Sequence, residues 1–364
     1  MNSSVLMNGD DNEKSYPQYI AIIAASFAIL FCIIGTLGNG LTVIAFAKYK
    51  KLRRQPTTIF IINLTISDLM LSTICMPSLA IDFLTSDVID GILCKISPML
   101  FYGNFSVSLF SLMAIAINRY ILIVKPAIHN KIYTTKNIII MLASIWIFSY
   151  SLLLPTIFEI WGTFGLDKKT MICEILEKDG DFASPKTILI IVGFFLPCSV
   201  ISFSYYRIYQ KIEESRKKML SHSPTQTRTT AAVSSKTDSQ ETRITKLMFT
   251  IFIGFLACFL PTFLVNTIDY EENYPIFHVG DSITSWASVV INPFIYVSTN
   301  KLYRTAYRKI FSQISEESVV TIQHHNNNSN RQLQASTMHP MTSSTENNSS
   351  YDSAPSSPSP QGGG

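Results

Sequence analysis

Seven apolar stretches recur along the chain, at residues 19–47, 57–84, 96–120, 137–158, 187–206, 247–269 and 283–299. A helix needs about 20 apolar residues to cross roughly 30 Å of hydrocarbon. The seventh stretch is the shortest, and the rest meet that requirement. No water is available inside a bilayer to satisfy backbone N–H and C=O groups, so each stretch is expected to be a helix. The composition agrees, with 47% hydrophobic and 15% charged residues among 364 and a mean hydropathy of +0.25. A soluble protein of this size is less apolar. The expected fold class is therefore an all-α membrane protein, a seven-transmembrane helix bundle. Residues 1–18 have no apolar core, so no secretory signal is expected ahead of the first span.

Charge sets the expected orientation. Lys48, Lys50, Lys51, Arg53 and Arg54 crowd the first connection; Arg207, Lys211, Arg216, Lys217, Lys218, Arg243 and Lys246 flank spans five and six; Lys301, Arg304, Arg308 and Lys309 follow span seven. Cations of short loops stay on the cytoplasmic side. The opposite loops carry acids, counted here as Asp87, Asp90, Glu174, Glu177, Asp179, Asp181, Glu271, Glu272 and Asp281. The N-terminus is then extracellular and the C-terminus cytoplasmic, in the plasma membrane. Because the cations follow this membrane rule, the net charge of +4 does not point to nucleic acid.

Residues 1–18 read as an extracellular tail, 19–311 as the membrane domain, 221–239 as a flexible cytoplasmic loop and 312–364 as a disordered cytoplasmic tail. The last two are rich in Ser, Thr, Gln, Asn and Pro and too polar to build a core. Leu302, Ala306, Ile310 and Phe311 repeat at helical spacing against Arg304, Arg308 and Lys309, which predicts a short amphipathic eighth helix on the inner membrane surface. No cysteine follows it in this sequence, so no palmitoyl anchor is expected there.

Four cysteines, Cys32, Cys75, Cys198 and Cys258, fall inside apolar stretches and read as small hydrophobes. Cys94 and Cys173 both lie on the oxidising side. Joined, they would pin the outer loop between spans four and five over the bundle, contributing about 4 kcal/mol on the loop-entropy model; two free thiols are the alternative. Two costly groups stand inside the spans. Arg119, in Asn118-Arg119-Tyr120, must reach the interface, a carboxylate or a protein partner. Asp68, near mid-membrane, carries a penalty of roughly 2.5–3.5 kcal/mol and needs partners; Asn39, Asn292, Asn104 and Ser108 are candidates, the last two four apart on one helix face.

The ordered succession of such groups resembles the rhodopsin-like, class A, G-protein-coupled receptors. It comprises Gly38-Asn39, Asn63-Leu64, Ser67-Asp68-Leu69, Cys94, Asn118-Arg119-Tyr120, Trp146, Pro197, Tyr205, Pro261 and Asn292-Pro293-Phe294-Ile295-Tyr296. Within that family the chain is most similar to the invertebrate receptors of the moody and trapped-in-endoderm type, through Asn118 in place of aspartate, Cys258-Phe259-Leu260-Pro261, Trp286-Ala287-Ser288 and Asn300-Lys301-Leu302-Tyr303-Arg304. That subgroup implies roles in cell migration, polarity or barrier formation.

The resemblance implies an extracellular ligand and a heterotrimeric G protein as partners. Asn118, Arg119, Tyr120, Tyr205, Glu241, Asn292, Pro293 and Tyr296 would form the inner switch. Glu241 would hold Arg119 until the inner half of span six swings out about the Pro261 kink. An exposed pair of this kind contributes only about 0–1 kcal/mol, so it biases the switch without locking it. Asp68, Asn104, Ser108 and Asn292 would bind a sodium ion, whose preference for hard oxygen ligands the set matches; interhelical bonding without an ion is the alternative. No other cofactor is implied. Serines and threonines in 221–242 and the tail would recruit arrestin-like proteins once phosphorylated. Asn2-Ser3-Ser4 is a glycosylation acceptor.

The expected ligand pocket is formed by Phe101, Tyr102, Phe105, Phe259, Thr262, Phe263, Asn266 and Trp286, with Phe259, Phe263 and Asn266 on one helical stripe. Phe101 stands where amine receptors carry aspartate, and Trp286 where opsins carry lysine. The pocket thus reads as aromatic and nearly uncharged, which favours an apolar or lipid-like ligand, while the acidic rim favours a cationic peptide. A transporter or channel is the alternative function. It would show repeats or a charged path, yet Asp68 reads as the only acid deep in a span. A hydrolase would need clustered nucleophiles and bases, whereas the six histidines read as lying outside the bundle, so no enzyme is expected.

Overall fold

The structure is a computed structural model that describes residues 17–49, 52, 56–84, 92–167, 172–178, 185–221, 228–269, 273–299, 301 and 303–313, leaving out the side chains of 56 and 218–241. Span one is Gln18–Lys48, span two Thr57–Leu84, span three Ile92–Val124, span five Pro185–Lys217 and span six Thr242–Ile268. Span four is Thr135–Ser151, preceded at a 75° bend by the short inner helix Pro126–Ile132. Span seven is built from Pro275–Trp286 and Ser288–Thr299. It starts eight residues before the apolar stretch because His278, Gly280 and Asp281 dilute the hydropathy of its outer half.

Asp281 is therefore no loop residue. It lies inside span seven and is 5% exposed. Asp82, near the outer end of span two, is also buried, so Asp68 is not the only acid within a span. One histidine also belongs to the bundle, contrary to expectation: His278 is buried within span seven, while His129 is buried in the short helix between spans three and four. A helix covers 303–313, with Tyr303, Ala306, Tyr307 and Ile310 buried and Phe311 exposed, while Leu302 lies outside the described residues. Tyr307 bonds to the hydroxyl of Thr42, and Tyr303 stacks on Tyr296 at 5.1 Å.

Proline chemistry shapes three of the spans. A proline lacks an N–H, and its ring clashes with the carbonyl four residues back. Before Pro77 the helix widens over Leu71–Cys75, and the Met76 N–H reaches the Leu71 carbonyl five residues behind. The same device precedes Pro197: the helix widens over Ile191–Phe195, and the Leu196 N–H reaches the carbonyl of Ile191. Pro293 instead frees the carbonyl of Val289, which accepts from Asn39 Nδ2 of span one at 2.8 Å. That bond gives Asn39 a structural reason to be where it is.

Two antiparallel strands, β1 (Thr163–Asp167) and β2 (Ile172–Leu176), make a hairpin in the outer loop after span four. Gly162 enters it at φ 66°, a left-handed conformation that favours glycine. Cys173 of β2 is bonded to Cys94 in the first turn of span three, with Cα atoms 5.2 Å apart. The loop is thereby fixed against the outer end of the bundle.

Candidate functional site

Two regions bring the candidate residues together. At the outer end, a cavity of about 170 Å³ is lined by spans two, three, five, six and seven and by β2. All eight expected residues, Phe101, Tyr102, Phe105, Phe259, Thr262, Phe263, Asn266 and Trp286, line it. Its floor is aromatic: Phe105 and Phe259 have ring centroids 4.5 Å apart, and Phe259 is 4.5 Å from Phe255. Phe194 of the widened turn in span five lies 6.4 Å from Phe263. Burying such rings against each other is favourable in area and in ring geometry.

The cavity is not nearly uncharged, contrary to expectation. Glu174, Lys186, His278 and Asp281 also line it. Their contribution was hidden in the sequence, because each sits in a polar context that reads as loop. Lys186 Nζ is 2.9 Å from Glu174 Oε1, and His278 Nε2 is 3.3 Å from Asp269 Oδ2. Burial pushes the Glu174 carboxyl above its usual range, while the neighbouring Lys186 pulls the other way.

At the inner end, Arg119 is 1% exposed. Its Nη2 donates to Thr57 Oγ1 at 2.5 Å, and that hydroxyl donates to Asn118 Oδ1 at 2.9 Å. Asn118 Nδ2 faces His129 Nε2 at 3.2 Å, and His129 Nδ1 faces Asn130 Oδ1 at 3.2 Å. Span three is thus tied to the inner end of span two and to the short helix Pro126–Ile132. Neither Thr57 nor His129 stands out in the sequence, since an inner-end threonine and a loop histidine are ordinary features. Tyr120 packs 6.4 Å from Phe203 and Tyr205 packs 5.1 Å from Phe249, while Tyr296 is completely buried. The Glu241 side chain lies outside the described residues, as does Asn2.

Between the two regions, Asn292 Nδ2 donates to Asp68 Oδ2 at 2.7 Å. Asn104 and Ser108 turn elsewhere. Ser67 Oγ donates to Asn104 Oδ1 at 2.9 Å, Ser108 Oγ is 3.2 Å from Ser67 Oγ, and Asn104 Nδ2 donates to Tyr150 at 3.2 Å. Ser67, adjacent to Asp68 but on the next face, takes the bonds expected of the carboxylate. The groups still suit a hard cation in kind, because Asn39 Oδ1 is buried without a partner and the remaining donors are oxygens. Asn63 completes the buried polar set, donating to Ser111 at 2.9 Å and accepting from Trp146 at 2.8 Å.

Comparison with known proteins agrees with this geometry. Residues 38–296 match the family described as 7 transmembrane receptor (rhodopsin family). The chain is 42% identical to Protein trapped in endoderm-1 of Drosophila melanogaster over 82% of its own length and 80% of that protein. It is 32% identical to the G-protein coupled receptor moody of the same species, across 81% of this chain and 52% of that longer protein. The fold is that of squid rhodopsin, with a TM-score of 0.72 at 23% identity over 86% of this chain and 92% of that one. The chain belongs to the rhodopsin family of seven-transmembrane G-protein-coupled receptors.

Proposed function

We propose that the chain converts occupancy of the outer aromatic cavity into activation of a heterotrimeric G protein through release of Arg119 at the inner face. The observation that carries this is Arg119 itself: a guanidinium almost wholly buried and held by Thr57 at 2.5 Å. A cation in that position is expensive unless it has a second destination, and a G protein supplies one. Release would follow an outward swing of the inner half of span six, with Tyr205 and Tyr296 steadying the open form and Glu241 adding to the restraint on Arg119. The N-terminus would be extracellular and the C-terminus cytoplasmic.

The finer assignments belong to the same proposal. The ligand is an apolar or lipid-like molecule or a cationic peptide. A sodium ion at Asp68, held with help from Asn292 and nearby hydroxyls, would favour the closed form. Residues 1–18 and 312–364 act as tails, Asn2 carries a glycan, and phosphorylated serines and threonines recruit arrestin-like proteins. Relatedness to the moody and trapped-in-endoderm receptors supports a role in migration, polarity or barrier formation. The test is basal G-protein dissociation in cells over a panel of G proteins, for wild type, Glu241→Ala and the Glu241→Ala, Arg119→Ala double variant at matched surface levels. A signal that rises in the single variant and collapses in the double supports the switch. A flat response in all three at good surface expression refutes it.

A further inference from the structure

Asp281 makes no ion pair among the described residues, and Lys186 acts on its charge only from beyond that distance. The aspartate is 5% exposed, lies within span seven and lines the outer cavity. Its carboxylate accepts two long bonds, from Asn266 Nδ2 at 3.4 Å and Ser282 Oγ at 3.4 Å. The two basic side chains on the cavity wall face other acids: Lys186 meets Glu174 at 2.9 Å, and His278 meets Asp269 at 3.3 Å. Among the described residues Asp281 has no ion-pair partner. A buried carboxylate held by two weak bonds has lost most of its hydration with little compensation. A ligand that brings a cation there recovers that loss.

We infer that Asp281 is the charge anchor of the outer cavity and that the ligand places a protonated amine or amidine beside it, with an apolar body on the aromatic floor. The inference rests on the cavity being the receptor's ligand site and selects between its ligand classes. The surroundings fit such a cation: Phe101, Tyr102, Phe263 and Trp286 line the same cavity, and aromatic faces attract cations.

The test uses purified full-length protein in phosphatidylglycerol nanodiscs and three probes of one shape: 2-phenylethylamine, neutral 2-phenylethanol and anionic 3-phenylpropanoate. Affinity is read by saturation-transfer NMR. In wild type the amine should bind about tenfold or more tighter than the alcohol, modest against what a buried charge loses with its partner. Asp281→Asn should bring the amine down to the alcohol and leave the alcohol unchanged. Should that variant fail to fold, Ser282→Lys supplies a competing internal ammonium and should remove the preference for the amine over the alcohol.

Equal binding of amine and alcohol in wild type, or a preference that survives both variants, overturns the anchor. A preference for 3-phenylpropanoate overturns it too, in favour of Lys186 or His278. Repeating the amine titration in phosphatidylcholine discs tells a lipid headgroup, which would compete, from a free amine, which would not meet competition. The readout is binding alone, so the anchor stands or falls apart from the receptor switch, whose own test is the basal G-protein signal of the Glu241 and Arg119 variants.

Discussion

Thr57→Val is the sharpest probe of the inner latch. The valine keeps the β-branched shape of a side chain that is 1% exposed, so it opens no cavity. What disappears is the hydroxyl, and with it the bond from Arg119 Nη2 and the bond to Asn118 Oδ1. A hydrogen bond to a charged group contributes about 1.5–3 kcal/mol. If the Arg119–Thr57 bond exists in the closed form alone, all of that comes off the closed side of the equilibrium. At 1.4 kcal/mol per decade, the ratio of open to closed then rises about tenfold to 150-fold. The assay is ligand-free G-protein dissociation by energy transfer, normalised to receptor at the cell surface. Thr57→Ser, which restores the hydroxyl, should return the signal to near wild type. Unchanged or lowered basal signal in Thr57→Val at normal surface level would mean that the bond survives opening, and the latch reasoning fails.

Other expectations follow from the same geometry. Cys173→Ser opens a bridge spanning 79 residues, which should cost about 4 kcal/mol on the loop-entropy model, read as lower surface expression and a lower Tm in detergent. Gly103→Ala places a methyl 2.6 Å from the Tyr150 ring, which is itself stacked on Trp146, and should cost about 1–3 kcal/mol of stability. Gly40→Ala meets nothing within 4 Å and should be neutral or stabilising by up to about 1 kcal/mol, so the pair of Tm values separates close packing from helix propensity. Replacing sodium with N-methylglucamine should raise wild-type basal signalling, and Asp68→Asn should abolish the difference between the two salts; equal sodium sensitivity in both proteins refutes an ion at Asp68.

Hydropathy carried most of the fold, because a bilayer imposes one length on every crossing helix. It failed on span seven for a physical reason: His278 and Asp281 face a cavity rather than lipid, so their polarity says nothing of depth. Of the site, the aromatic wall was legible because Phe259, Phe263 and Asn266 share a helical stripe. The partners of Arg119 and Asn104 were not. Which hydroxyl a buried guanidinium or amide meets depends on how neighbouring spans rotate; Thr57 is an ordinary residue at a span end, and Ser67 stands out only as part of Ser67-Asp68-Leu69, which does not say what it bonds. The hairpin was hidden because its strands are five residues each, and the apolar side chains that bury one face are few.

The widened turns before Pro77 and Pro197 have a consequence for how the chain diverges. Each holds one residue more than an α-turn would, and each helical residue accounts for about 100° of rotation. The outer halves of spans two and five can therefore be re-aimed by gaining or losing a single residue there, while their inner halves keep register with Arg119 and Tyr205. A relative without the extra residue would need a one-position gap at Leu71–Cys75 or Ile191–Phe195. Cavity residues outward of such a gap, Leu79 in span two and Leu189 and Ile190 in span five, would correspond to neighbours one place away in any ungapped alignment. Ligand preference can in this way drift by insertion and deletion as well as by substitution, without disturbing the half of the molecule that carries Arg119 and Tyr205.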